Sequence, residues 1–503
     1  MDWLSPLTTS KHVYNTLLSR LLPRQPLWAA AAGLIGLSMA VLPPFTAFLL
    51  LGILTLFGLS VYQPFALFAA LLVLAPLRVL ILTESPLQLP LDIGQILLLA
   101  FAVLWSLHRR LQHKPVLTLQ LTLTALPLAL FALWGVLSWL WAFSLSAAIT
   151  ESIKWFVILI TAMFVLHHAK AGRWRLFTFV LVVAAAANAI VGIYIFFGGS
   201  GADHLAINNR FFRAFGTFGQ PNPFGGFMGL ILPLSLAMTW DYSRLWFQRR
   251  CAAYGLTALM GFVSTGVIVA ALVMSWSRGA WLSALIAVFV MTVLLPRRTR
   301  QRVALCLVLV GAGLLIWYAD LLPAAITQRI ASSTEEFFAF DDVRGVDITV
   351  DNYAVVERLA HWQAALNMAQ AHPLGVGLGG FNAAYEDYRL LNWPQALGHA
   401  HNYYLNVLAE TGIIGLALYL VFQGTALLLA FKGRSHVSPS VKSLSVALVG
   451  AWIYLAFHSL LDNLYVNNVF LHVGVLLGLT FWVYQQSVLT TTTEYHGNRA
   501  AFR

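Results

Sequence analysis

The chain has 503 residues, of which 59% are hydrophobic and only 10% charged, and its mean hydropathy is +0.77. That balance excludes an ordinary soluble domain and points to a polytopic membrane protein. The formal net charge is +11, but the basic residues sit in short turns between apolar runs rather than on one soluble face, so orientation in a membrane explains them better than nucleic-acid binding.

Apolar runs long enough to cross about 30 Å of hydrocarbon fall near 27–42, 45–62, 64–82, 91–107, 124–143, 149–167, 176–198, 223–242, 254–276, 279–295, 303–319, 403–431, 444–458 and 468–485. The expected fold is an all-α membrane bundle of about 12 to 14 helices. No cleavable signal peptide is evident: Lys11, Arg20 and Arg24 are followed by an apolar run that leads straight into further spans. Cys251 and Cys306 are too few for a disulfide framework and read as reduced, structural residues.

The basic clusters alternate along the chain. Arg109, Arg110 and Lys114 form one, and Lys170, Arg173 and Arg175 the next. Arg244, Arg249 and Arg250 follow, then Arg297, Arg298, Arg300 and Arg302, then Lys432, Arg434 and Lys442. By the positive-inside rule both termini are cytoplasmic, and residues 486–503 form a cytoplasmic tail. Residues 1–319 then carry the first eleven spans, 320–402 an extracytoplasmic loop domain, and 403–485 the last spans. Outside turns and tails, Arg78, Lys154, Arg210, Arg213, Arg278, Arg329, Arg344, Arg358 and Arg389 all come out at or beyond the outer boundary. Arginines set against the topological bias need a reason, and binding an anion is the usual one.

The 320–402 interval holds ten acidic residues against four arginines. Within it, Val355, Leu359, Trp362 and Leu366 recur at helical spacing over 355–371. His372-Pro373 and Gly375, Gly377, Gly379 and Gly380 stop that helix in a glycine-rich turn, and a second short helix is expected over about 381–391.

Three constellations offer chemistry. Arg210 to Gly226 combines two arginines with two prolines, four glycines and Asn222 at the mouth of a span. Backbone broken at membrane depth is tolerated where it lines a cavity, although two arginines snorkelling from an interfacial turn would look the same. Ser275 to Trp281 places Arg278 between two apolar segments, where a charge is costly unless paired or facing water. His399 to Gly412 opens another span, with Asn402, Asn406 and Glu410 on one helical face. A histidine there is suited to taking a proton from a hydroxyl; helix capping by the His401-Asn402 pair is the competing reading.

The succession RAFGTFGQPNPFGGF, SRGAW, HWQAALNMAQAHPLGVGLGGF and HAHNYYLNVLAETGIIGL resembles, over residues 200–430, the bacterial O-antigen ligase and O-antigen polymerase superfamily. The resemblance implies a metal-independent glycosyltransferase with no cofactor. It would move a glycan from undecaprenyl diphosphate to an acceptor hydroxyl, such as one on lipid A-core or on a second lipid-linked glycan, at the outer leaflet of the bacterial plasma membrane. It implies that Arg210 or Arg213, together with Arg278, holds the diphosphate, and that His401 is the candidate base, with His399 as its rival. Asn222, Asn402 and Glu410 are supporting residues.

The residues fit that chemistry independently. A diphosphate is a good leaving group once guanidinium forks meet its charge, so one base suffices, and attack opposite the departing diphosphate would invert configuration. No His, Asp or Cys cluster has metal-ligand spacing along the sequence. His458 and Asp462, at i and i+4, read as a structural pair. Trp362, Tyr385, Tyr388, Trp393, Tyr403 and Tyr404 are candidates to stack on sugars. Within the class, a polymerase or a protein O-glycosylating transferase shares these motifs; a transporter or flippase would instead favour repeat symmetry and midplane charges.

Overall fold

The computed structural model describes residues 64–84, 93–111, 125–169, 172–199, 203–207, 210–296, 298–319, 327, 343–349, 352–436 and 438–501. The spans expected at 27–42 and 45–62, Arg329 and most of 320–353 lie outside the described residues. Each expected span from residue 64 onward coincides with a helix. In chain order these are α1 (Pro64–Leu74), α2 (Arg78–Glu84), α3 (Ile93–Leu111), α4 (Leu126–Leu137), α5 (Leu145–His168), α6 (Trp174–Tyr194), α7 (Pro221–Arg249), α8 (Ala252–Met274), α9 (Arg278–Leu294) and α10 (Thr299–Tyr318). After them come α11 (Tyr353–Ala371), α12 (Phe381–Tyr388), α13 (Tyr403–Lys432), α14 (Pro439–His458) and α15 (Val469–Ala501).

Seven of the described helices are long and apolar enough to cross a membrane, and four shorter apolar helices accompany them. The protein is an all-α polytopic membrane bundle. The run at 64–82 is not one continuous helix: a 3-10 turn at Ala75–Leu77, with Pro76 at its start, separates α1 from α2, because proline offers no N–H to continue the ladder.

Helix α7 is the hub. It packs on α6, α8, α9 and α14, and 83% of its most apolar window is buried. Its glycines make the close packing steric fact: a methyl group on Gly226 would stand 2.7 Å from the His458 ring nitrogen Nε2. Tyr454 of α14 donates its hydroxyl to the Gly225 carbonyl at 3.2 Å. On the far side of the bundle α15 packs on α5.

Residues 352–402 form a compact unit rather than a linker. Helices α11 and α12, expected from periodicity, both form and seat on α13. Met368, Val376, Phe381 and Tyr385 bury together beneath them. In the span pairs α7, α9 and α13 the arginine and histidine motifs occupy the N-terminal ends, while Arg249, the 298–302 arginines and Lys432 occupy the opposite ends.

Candidate active site

Arg213 leaves a short hairpin in which β1 (Ala206–Ile207) pairs antiparallel with β2 (Phe211–Phe212). The next residue is stitched to the end of α8, its amide donating to the Met274 carbonyl at 2.8 Å. The hairpin places the two arginines differently. Arg210 is exposed, its guanidinium lying over the Phe211 ring at 5.0 Å. Arg213 is half-buried, donating from Nε to the Ser275 carbonyl at 3.2 Å and from Nη2 to Asn222 Oδ1 at 3.2 Å. Asn222 thus orients the fork.

Ser275 also opens the turn that presents Arg278. Its hydroxyl donates to the Leu272 carbonyl at 2.7 Å and accepts from the Ser277 amide at 3.3 Å. Trp276 sits at φ 56°, a left-handed conformation that a bulky residue adopts only where its surroundings enforce it. Arg278 is then the first residue of α9 and is half-buried. The carbonyl that Arg213 grips is three residues from Arg278, so both arginine motifs meet at one turn.

The same turn touches the histidine side. A methyl group on Gly279 would meet the Leu461 side chain at 3.0 Å, and Leu461 is the neighbour of Asp462. Together with the Gly226–His458 approach, this brings Arg213, Arg278 and Asp462 to one end of the bundle.

At that end the His401-Asn402 pair divides its labour. Asn402 is the N-cap of α13, its Oδ1 accepting from the amides of Tyr404 at 3.1 Å and Leu405 at 3.2 Å. Asn406 Oδ1 accepts from the Ala400 amide at 3.1 Å, and the Tyr403 amide donates to the Ser459 carbonyl at 2.7 Å. Capping is therefore the work of Asn402, not of His401. His401 stands at φ 52°, and neither of its ring nitrogens has a hydrogen-bond partner.

Asp462 lies between the two histidines, its Oδ1 3.7 Å from His401 Nδ1 and 3.7 Å from His399 Nε2. These are ion-pair distances rather than hydrogen bonds. The expected His458–Asp462 side-chain pair does not form a hydrogen bond: the two join through backbone, Asp462 N–H to the His458 carbonyl at 2.9 Å, while the His458 ring nitrogens have no hydrogen-bond partner. Burial alone would raise the Asp462 carboxyl, but the surrounding His401, His399 and His458 imidazoles reverse this and hold it well below the usual carboxylate range.

His399 is occupied elsewhere. The His401 backbone amide donates to His399 Nδ1 at 3.1 Å, which assigns the ring proton to Nε2 and turns that N–H toward Asp462. Burial pushes this imidazole down to about 4, Asp462 pulling it up and His401, His361 and Arg358 pushing it further down. Relative to a free histidine near 6.5, the unfolded chain then binds a proton the folded loop refuses between about pH 4 and pH 6.5. Stability is fully present above that window and falls by about 3 kcal/mol as pH drops through it. Melting midpoints in detergent at about pH 7.5 and pH 5 should differ, and His399→Gln should flatten the difference; an equally steep dependence in that variant would contradict the assignment.

The three ligand-type atoms of His399, His401 and Asp462 lie within 4.8 Å of one another, a grouping that no spacing along the sequence discloses. As arranged, His399 offers an N–H and not a lone pair, which leaves one imidazole and one carboxylate for an ion.

Glu410 ties the glycine-rich turn to α13. Its carboxylate accepts from the Gly379 amide at 2.9 Å and the Phe381 amide at 3.4 Å, at the start of α12 where the helix dipole favours a negative charge. Its own carbonyl accepts from Gly377 at 2.9 Å. Gly412, at φ 67° inside α13, bends the helix to admit this loop. Among the other outlying cations, Lys154 pairs with Glu151. Tyr385, Tyr403 and Trp393 are buried, so they do not offer the sugar-stacking faces expected of them.

Residues 263–420 match the family model described as O-antigen ligase. The match supports the resemblance of this region to the O-antigen ligase and polymerase superfamily. A comparison with curated proteins gives no match. The O-antigen ligase region spans Arg278, His399, His401, Asn402 and Glu410, and leaves Arg213, Asn222 and Asp462 outside it. Arg213 reaches the matched region through its hydrogen bond to the Ser275 carbonyl, Asn222 through Arg213, and Asp462 through its approach to His399 and His401. The match supports an enzyme of the general glycan-transferring ligase and polymerase kind, with lipid-linked glycans in general as its substrates.

Proposed function

We propose that the protein is an O-antigen ligase-type glycosyltransferase that moves a glycan from undecaprenyl diphosphate to a hydroxyl of lipid A-core. It would work at the outer face of the bacterial plasma membrane with both termini in the cytoplasm. The observation that carries this reading is the convergence of an Asn222-held Arg213, Arg278 and an Asp462-flanked His401 at one end of the bundle.

In this reading Arg213 and Arg278 grip the diphosphate with guanidinium forks. The acceptor oxygen attacks the anomeric carbon, the carbon–oxygen bond to the diphosphate breaks, and the leaving group departs with its charge met by the arginines. The acceptor proton passes to His401. Asp462 beside Nδ1 favours a proton on that nitrogen and leaves the Nε2 lone pair as the base, the logic of a carboxylate-oriented imidazole. A separation of 3.7 Å tightens as positive charge develops on the ring. His361 of α11 lies edge-on to His401 at 5.6 Å and both His401 nitrogens are shielded, so α11 shifts to admit the acceptor.

The test is transfer by the purified protein from a lipid-linked glycan to lipid A-core, to a second lipid-linked glycan, or to neither. Product on lipid A-core alone supports the ligase reading; chain extension without it makes the enzyme a polymerase. Sidedness has its own test. In a chain lacking Cys251 and Cys306, Gly345→Cys and Thr299→Cys should label from opposite sides of the membrane, and labelling from one side sinks the topology.

A further inference from the structure

His458, the last residue of α14, is 1% exposed and takes no part in the proton transfer described above. Its ring stacks on Tyr454, one turn earlier, with centroids 5.5 Å apart and planes 12° apart, and Tyr454 is itself tied to the Gly225 carbonyl. The Nε2 edge lies on the backbone of α7: a methyl group on Gly226 would stand 2.7 Å from Nε2 and 3.2 Å from the adjacent ring carbon Cε1. Gly225 admits Ser275 in the same way, a methyl there standing 2.6 Å from the serine hydroxyl oxygen. One glycine thus seats the turn that presents Arg278, and the next seats the imidazole. Asn222 lies four residues before Gly226 on α7, so the ring packs along the helix face from which Asn222 holds Arg213. Toward the base, the His458 carbonyl accepts from the amides of Leu461 and Asp462, each at 2.9 Å, and its ring is one of the three imidazoles whose charge acts on Asp462. Neither ring nitrogen has a hydrogen-bond partner among the described residues. As packing alone this is a poor choice, since an apolar side chain would fill the space without two unmet polar atoms.

We propose that His458 is a positioning residue for glycan transfer: its imidazole, wedged between α7 at Gly226 and the Asp462 turn, sets the separation between the Asn222-held Arg213 and the Asp462–His401 pair. The inference rests on the transfer reaction proposed above. Displacement with inversion needs the diphosphate grip and the base on opposite sides of one anomeric carbon, so a small error in their separation is costly to the rate. Helix α7 carries Asn222, the chain after α14 carries Asp462, and His458 bears on both. The ring is held rather than loose. Tyr454 fixes its plane, Gly226 its depth, and the Asp462 carboxylate favours the nitrogen that carries the proton. A leucine would keep the wedge but give Asp462 nothing polar to face.

The experiment measures transfer from a lipid-linked glycan by the full chain in detergent, with kcat, donor KM and melting midpoint read on each variant. His458→Leu removes two unmet buried nitrogens, so its midpoint should hold or rise, while kcat falls about tenfold and donor KM stays within about twofold. His458→Gln keeps a donor for Asp462 and should recover most of kcat. Gly226→Ala should also lower kcat, because the methyl displaces a ring held by Tyr454, whereas the Leu464 side chain that it also meets, at 2.6 Å, is a flexible end that turns aside. Adding Gly226→Ala to His458→Ala should then lower kcat no further. Unchanged kcat in folded His458→Leu overturns the proposal, as does a raised donor KM with kcat kept. Should that variant not fold, the glycine pair decides: losses in Gly226→Ala and His458→Ala that multiply overturn it as well. Transfer that fails already in the unmodified protein, with lipid A-core and with a second lipid-linked glycan, overturns the reaction itself and is told apart by that control.

Discussion

Replacing His401 by alanine should lower glycan transfer by about 10²–10⁴-fold, the range for removing a positioned base, with donor binding largely kept. The structure makes this separable from a structural defect, because the cap of α13 is Asn402 and not His401. Loss of the cap in Asn402→Ala should cost about 1 kcal/mol of stability; His401→Asn should leave the fold intact and still lose transfer. Asp462→Asn tests the orientation argument. It should lower kcat and shift the acid limb of the pH profile, because the carboxylate that sets the His401 tautomer is gone. His399→Gln retains an acceptor for the His401 amide, so it should alter stability against pH more than turnover. Full transfer by a folded His401→Asn variant would falsify the assignment.

How much of this was legible in the sequence depends on what each feature requires. The spans follow from apolar runs of membrane length, and α11 and α12 follow from a helical period ended by His372-Pro373 and a glycine run. These are local properties. The choice between Arg210 and Arg213 is not: both are arginines in one segment, and only the β1–β2 hairpin turns one to the surface and the other toward Asn222 and Ser275. The role of Asp462 was hidden for a different reason. At four residues from His458 it looks like a helical pair, yet α14 ends at His458, and the chain that follows carries the carboxylate to histidines some sixty positions earlier in sequence. A hint existed in an acidic residue just past the end of an apolar span, at the end shared with the His399-Ala400-His401 motif. Tyr385 and Tyr403 misled because an aromatic near a membrane boundary reads the same whether it faces sugar or core; burial of 1% and 3% relative exposure settles them as core.

The arginines carry the other large effect. Removing a charge-assisted contact to a developing diphosphate should cost about 2–4 kcal/mol in the transition state, so Arg213→Ala and Arg278→Ala should each slow transfer by well over tenfold. Lysine should rescue poorly at Arg213, because Nε and Nη2 are already engaged with Ser275 and Asn222 and a single ammonium cannot hold both acceptors while meeting a phosphate. Asn222→Ala removes only the orienting acceptor and should cost about 1 kcal/mol. Arg210→Ala should have little effect, since its guanidinium is exposed over Phe211. The two buried-side arginines are joined through the 275–278 turn, so their losses should not add: a double variant nearer to the worse single than to the sum would show one shared diphosphate. Additive losses would separate them into independent contacts, and turnover unchanged in Arg278→Ala would remove that residue from the site.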